Sequence, residues 1–208
     1  MDQSPERPDS PANPTASDPS DPKTRQLTDP RAMRALAHPL RLRMLGELRV
    51  RGPQSVGMLS ELVDEAPGSI SYHIGRLAQF GFVEEAPELA RDKRERWWRS
   101  AHAMTSWDPL QALADPAQWA ASAELRRVIL QRYVAGFEAY LEAEPTLPPA
   151  WVRGTTSTDA FLQLTSDELI ELRVELEALA ERWMARSDPD RPEARTVTLI
   201  LQAFRRAE

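Results

Sequence analysis

Apolar residues recur at helical spacing in three consecutive stretches of the first half of the chain. Leu40, Met44, Leu45 and Leu48 predict a helix over 40–49, and Val56, Leu59, Leu62 and Val63 predict another over 55–63. A third helix, over 67–80, carries Ile70, Ile74 and Leu77 on one side and Ser69, Tyr72 and Arg76 on the other. Pro39 and Pro67 suit first helical positions, where the missing amide hydrogen has no intrahelical partner. Gly52-Pro53 breaks the chain between the first two helices, and Gly81 ends the third. Three such stripes can close one small core, and the tight 64–68 connection predicts a helix-turn-helix.

After Gly81 the pattern becomes that of strands. Phe82–Glu85 reads as a strand, Ala86–Asp92 as a charged loop and Lys93–Arg99 as the returning strand, so a β-hairpin follows the third helix as a wing. Trp97 and Trp98 must then point to opposite faces. Pro109 and Pro116 punctuate a linker, and Ala117–Glu144 reads as one long helix with Leu125, Ile129, Tyr133, Phe137 and Tyr140 at helical spacing. Pro145, Pro148 and Pro149 terminate it. Thr156–Leu164 then alternates as a strand, and Thr165 with Glu168 forms a capping box. The helix that box opens runs to about Arg186, with Leu169, Leu172, Leu176, Leu179 and Trp183 on one face. Arg195–Phe204 reads as a last strand, with Val197, Leu199 and Leu201 on one side and Thr198, Ile200 and Phe204 on the other. Two strands and one helix seldom suffice as an independent unit, so this module is expected to lean on the long helix or on a second subunit.

The third helix has the makeup of a DNA recognition helix, apolar where it packs and polar where it enters a groove. Ser69 and Tyr72 are placed to meet base edges or phosphates, and Arg76 to pair with guanine or a phosphate; Ser71 and His73, on the flanks, are further candidates. In the wing, Arg91, Lys93, Arg94 and Arg96 suit the DNA backbone or a minor groove.

Leu36-Ala37-His38-Pro39-Leu40-Arg41-Leu42-Arg43-Met44-Leu45, followed by Ser69-Ile70-Ser71-Tyr72-His73-Ile74, Leu77 and Gly81-Phe82-Val83, closely resembles the winged-helix domain of ArsR-type bacterial transcriptional repressors. The resemblance covers residues 28–102. It implies a homodimer on a palindromic, inverted-repeat operator in double-stranded DNA, released when a signal arrives. It also implies that the helix after the wing helps build the dimer, through Leu125, Ile129, Tyr133, Phe137 and Tyr140; the alternative is that this stripe packs on its own chain. The last module resembles, more loosely, C-terminal extensions of actinobacterial ArsR-like regulators. The metal-sensing branch of the family uses cysteines before the recognition helix or Asp and His pairs on the last helix. This chain has no cysteine, and His38, His73 and His102 fall in three different elements with no i, i+4 pairing. Neither a metal site nor a cofactor is expected.

The net charge of −6 is opposite to what a DNA binder needs until it is divided along the chain. Residues 1–30 carry −3, residues 31–102 carry +3 and the remainder −6, so the motif-bearing part alone is cationic. Only Lys23 and Lys93 are lysine among 26 basic residues, a bias expected of a GC-rich genome. Residues 1–27, with six prolines amid Ser, Asp and Asn, read as a disordered tail. No run of 18 or more apolar residues and no basic, apolar leader is present, which predicts a cytoplasmic protein that does not engage a membrane.

Together these readings predict an α+β, mainly α chain. A tail (1–27) precedes a winged helix-turn-helix domain (28–102), a linker and dimerisation helix (103–149) and a strand-helix-strand module (150–208). Aromatic walls at Trp119, Trp151, Phe161 and Trp183 make the second half a candidate pocket for a small-molecule or protein effector, against the plainer reading that they are core. No phosphate loop, metal cluster or nucleophile motif points to an enzyme. The alternative to a DNA-binding repressor is a protein-interaction module using the winged helix only as a scaffold.

Overall fold

The computed structural model describes residues 24–91 and 95–207, which divide into two units between Thr156 and Ser157. In the first unit β1 (Thr24–Gln26) leads into α1 (Pro30–Leu36), α2 (Pro39–Arg51), β2 (Gln54–Ser55), α3 (Val56–Val63) and α4 (Pro67–Gln79). Then come β3 (Val83–Glu85), β4 (Trp97–Ser100), β5 (Met104–Ser106), α5 (Pro109–Leu113), the 28-residue α6 (Pro116–Ala143) and α7 (Pro149–Gly154). In the second unit α8 (Ser166–Ala185) is the one regular element among the described residues.

The helix starts follow from side-chain chemistry. Asp29, Asp108 and Asp115 each accept the amide two residues on at 2.8 Å, and each is followed by a proline that needs no hydrogen-bond partner. Ser55 caps α3 through the Met58 amide. The capping box at Thr165 and Glu168 opens α8 as its sequence predicts. Asp64 closes α3 in the left-handed region, φ 52°, which a short polar side chain tolerates and which turns the chain sharply toward α4. Arg43 on α2 donates to the Val63 and Leu62 carbonyls at 3.0 Å each, holding that turn.

β4 is the centre of a three-stranded antiparallel sheet, with Trp98 opposite Gln54 on β2 and Glu85 on β3. Alternation buries Trp98 and leaves Trp97 half-buried, as the hairpin reading predicts. The core joins the three predicted stripes: Met44, Leu45 and Leu48 from α2, Leu59 and Val63 from α3, and Ile70, Ile74 and Leu77 from α4, with Phe82 beneath the wing.

Several expectations are corrected. Residues 24–27, assigned to the tail, are ordered: β1 pairs in parallel with β5, Thr24 opposite Met104, and Leu27 is buried in the core. The rest of the tail, residues 1–23, lies outside the described residues. The stretch read as a linker contains β5 and α5, because Pro109 and Pro116 start helices rather than interrupt them. α1, which carries Met33 and Leu36 into the core, was not predicted at all.

α6 is the predicted long helix, but its faces are not those predicted. Leu125, expected at a dimer interface, is 1% exposed inside its own chain's core, and Ile129 packs against that core. Arg132 reinforces the docking by donating to the Leu42 carbonyl at 2.7 Å. Its guanidinium lies where a Cβ on Gly46 would be, so glycine leaves the room. Neither Thr156–Leu164 nor Arg195–Phe204 forms a strand, so the strand-helix-strand module is not present as such. A strand exists through its ladder, and among the described residues these segments have none. On α8, Leu172, Leu176 and Leu179 are half-buried, whereas Trp183 is exposed.

Candidate nucleic-acid interface

α4 is seated by Ile70, Ile74 and Leu77, all at most 1% exposed. Their burial fixes which residues remain outside. Gly68, Ser71, Tyr72, Gly75 and Gln79 form the fully exposed ridge, Tyr72 at 63%. Ser69, His73 and Arg76 lie along one flank, half-buried. The open face is therefore turned slightly from the Ser69, Tyr72 and Arg76 stripe expected from the sequence. Gly75 and Gln79 are residues that sequence reasoning missed. No atom lies within 4 Å of where a Cβ would stand on Gly68 or Gly75, so the helix backbone itself is open to a close approach. Glycine inside a helix costs about 1 kcal/mol relative to alanine. The α4 N-terminus has no side-chain cap at Ala66, which leaves its first amides facing outward.

Several of the predicted polar side chains already have partners on α4 itself or beside its end. Ser71 donates its hydroxyl to the Pro67 carbonyl at 2.9 Å and keeps its acceptor lone pairs. Arg76 donates to the Gln79 side-chain oxygen and lies 5.5 Å from the Phe80 ring centroid, folded back along the helix. Tyr72 meets His73 edge to face at 5.0 Å.

The fold brings together two histidines that lie far apart in sequence. His38, which caps α2 by accepting the Leu40 amide at Nδ1 (3.2 Å), packs against His73 of α4 with ring centroids 4.5 Å apart and the rings tilted by 43°. Arg41 reaches the His73 Nδ1 at 3.4 Å, and a guanidinium can only donate, so Nδ1 accepts there too. Both rings thus carry their proton on Nε2 when neutral. Burial, then Arg41, pushes each histidine below its ordinary range; His73 lowers His38 further, and Glu65 opposes the shift in both. Arg41, itself lowered by burial and then by Arg76, is a further cation beside α4 that the sequence did not reveal. The two Nδ1 atoms are committed to the protein, and among the described residues no group of three or more His, Asp or Glu could hold a metal.

The lowered histidines set a pH dependence. Their folded pKa values lie below the unfolded value of about 6.5, so the unfolded chain takes up protons first as pH falls. Stability is therefore full above about pH 6.5 and declines as pH drops toward the folded values. A series of thermal melts from pH 7.5 to 5 is expected to show that decline. His38→Asn, which keeps a capping oxygen without a titrating ring, is expected to reduce it; an unchanged slope would remove His38 from the account.

The wing is less cationic than its arginines suggest. Arg96 pairs with Glu85 and lies 5.0 Å from the Trp98 ring, and Arg99 binds Glu84 at 2.9 Å and Glu88 at 2.7 Å. Arg91 is exposed, its amide donating to Glu95. Lys93 and Arg94 lie outside the described residues. Exposed pairs of this kind contribute about 0–1 kcal/mol, so a phosphate can displace a carboxylate at little cost.

In the second half of the first unit, Tyr133 and Tyr140 are half-buried, and the Tyr140 hydroxyl donates to Glu144 at 2.6 Å. Phe137 stacks on Tyr140 at 5.9 Å. On the outer side of α6, Leu130, Val134, Phe137 and Leu141 form a stripe at 4, 3, 4 spacing, between 44% and 51% exposed. The proposed effector aromatics are exposed as well. Trp119 lies beside Arg126 and Trp183 beside Arg186, while Trp151 sits on α7 and Phe161 in the segment before α8. An open cavity of about 440 Å³ on α8 is lined by Leu172, Leu176, Leu179 and Arg182 among others, and by none of the four.

Residues 36–86, from the end of α1 to the residue after β3, match a family model described as a helix-turn-helix domain. No curated protein matches the chain. The matched stretch is the one that holds α2, α3 and α4, and it supports a DNA-binding regulator, a class that is not enzymatic. Among the described residues no helix is long and apolar enough to cross a membrane.

Proposed function

We propose that the chain is a homodimeric, cytoplasmic bacterial repressor of the ArsR type, bound to an inverted-repeat operator and released by a small-molecule or protein signal rather than a metal. The observation that carries this reading is the open ridge of α4, a polar and glycine-containing face held outward by three fully buried apolar residues within a matched helix-turn-helix. Tyr72 is the foremost base-reading candidate, with Gln79 and Ser71 beside it. His73 offers its Nε2–H, and the uncapped first turn of α4 offers backbone amides, to phosphates. Gly68 and Gly75 let the duplex approach the helix closely. Arg41, Arg76, Arg91, Lys93, Arg94 and Arg96 supply the cationic rim. The second copy engages through the outer face of α6 and presents a second α4 one DNA turn away, about 34–36 Å.

Selection of bound duplexes from a random library is the test. Tyr72→Ala is expected to weaken the selected site by about 1–3 kcal/mol and to relax preference at one base pair. Wild-type affinity of this variant for every duplex would remove the assignment. The even balance of five acids and five bases across residues 83–100 favours the second reading, a scaffold that binds protein through its wing. The two readings separate on salt: DNA contact requires affinity to fall as salt rises, with a slope near one per phosphate neutralised.

A further inference from the structure

The flank of α4 that faces α2 gathers cationic groups, and among the described residues no acid forms an ion pair with them. Arg41 spans three elements. Its Nη2 donates to the Arg34 carbonyl on α1 at 3.5 Å, its Nη1 reaches the His73 Nδ1 at 3.4 Å, and its Nε is buried without a hydrogen-bond partner. Arg76 follows His73 by three residues on the same flank, and its charge reaches Arg41. His38 packs on His73 from the start of α2, and Tyr72 meets it from the exposed ridge. Glu65, in the turn before α4, is the acid whose charge reaches both histidines. The His73 Nε2 has no partner among the described residues and is not enclosed. Cations that have lost water and have donors to spare favour an anion.

A helix lying in the major groove turns its flanks toward the phosphates of the groove walls. On α4 one flank is Ser69, His73 and Arg76, with Arg41 behind it. We propose that His73 and Arg41 together seat one phosphate of the operator backbone, and that seating it places a second proton on His73, so that operator affinity rises as pH falls. This rests on the regulator reading above and adds a regulation of its site. Neutral His73 holds its proton on Nε2 and accepts from Arg41 at Nδ1. A proton taken from solvent occupies Nδ1, ends that acceptance and frees an N–H of the Arg41 Nη1. The His73 Nε2–H and the freed Arg41 N–H then donate to phosphate oxygens as charge-assisted bonds. Without DNA the step is held back, because burial and then Arg41 keep His73 below its ordinary range, against Glu65. The negative phosphate favours the charged ring and raises its pKa in the complex. A group whose pKa rises on binding takes up its proton with the ligand. The complex therefore gains as pH falls through the bound value, and gains no further below the free one. His38 is the poorer proton acceptor, because its Nδ1 already holds the Leu40 amide at the start of α2.

The probe is the duplex chosen by library selection, measured with full-length protein. Between about pH 7.5 and 5.5 its affinity is expected to tighten at least about threefold, the effect of a half-unit rise in one pKa. Calorimetry in two buffers of different ionisation heat should show net proton uptake on binding. The salt slope should steepen by about one over the same interval, since His73 arrives as a further cation. His73→Gln keeps a donor near the Nε2 position but cannot take up the proton, so both the pH gain and the proton uptake should vanish. Neutral methylphosphonate linkages, introduced one position at a time against the wild-type protein, should abolish the gain at a single phosphate per half-site. Thermal melts in the same buffers establish that each protein is folded. An affinity indifferent to pH, or a gain that survives in His73→Gln or at every methylphosphonate position, overturns this proposal and leaves the DNA reading standing. A chain that binds no selected duplex at either pH overturns both.

Discussion

Val134→Asp combined with Phe137→Asp is expected to remove the proposed α6 dimer and, with it, tight operator binding. Leu130, Val134, Phe137 and Leu141 repeat at 4, 3, 4 spacing, the seam by which one helix meets another. The opposite side of α6 is committed to its own chain through Ala121, Leu125 and the Arg132 bond to Leu42. Burying a valine or phenylalanine contributes about 1.5–3 kcal/mol each, and a two-fold interface counts each substitution twice. The expected loss is on the order of 6 kcal/mol, ~10⁴-fold in the dimer's dissociation constant, before the burial of four carboxylates is added. Folding should be unaffected, since both positions already face water. Sedimentation at micromolar concentration should then show a monomer that holds one operator half-site weakly. A variant that still sediments as a dimer and binds the operator as wild type does would place the interface elsewhere.

The sequence made the DNA-binding half legible because α2, α3 and α4 each bury one side, so apolar spacing alone gives their faces. It failed at α6 for a physical reason. This helix is apolar on two sides, one for its own core at Leu125 and Ile129 and one outward at Leu130 and Val134. The predicted stripe of Leu125, Ile129, Tyr133, Phe137 and Tyr140 crosses from the first side toward the second. A period of 3.6 identifies a helix but not which of its apolar faces is covered. α1 and α5 were missed because seven- and five-residue helices are too short for a periodic signal. Their Asp-Pro starts were visible, and an Asp cap followed by proline is the cue that finds them. β1 pairs with β5 across some eighty residues of chain, and nothing local announces that.

At the candidate site the residue types were legible and the arrangement was not. Tyr72 stands where periodicity puts it. Gly75 and Gln79 were overlooked because a search for polar stripes passes over a glycine and stops short of the helix end. Arg41 and the contact of His38 with His73 depend on α2 crossing α4, a separation of more than thirty residues. The salt pairs of Arg96 and Arg99 are likewise products of strand register: Glu84 lies opposite Arg99, and Glu85 beside Arg96.

Leu77→Ala is expected to weaken DNA binding by a route that Tyr72→Ala does not share. Leu77 is fully buried, and it holds the last turn of α4 against the core that includes Phe82. Truncating a leucine in such a place costs about 2–5 kcal/mol, because the lost contacts and the remaining cavity both count. That is a large part of the roughly 5–15 kcal/mol by which domains are stable. Leu77→Ala should therefore shift a urea unfolding midpoint strongly and lose DNA binding only as the domain opens. Tyr72→Ala removes an exposed ring, so the same titration should change by less than about 0.5 kcal/mol while DNA affinity falls. Added DNA should partly restore the melting temperature of Leu77→Ala, since a duplex that binds only the folded state stabilises it by mass action. If Tyr72→Ala instead destabilises as much as Leu77→Ala, the ring belongs to the core and α4 has been given the wrong outer face.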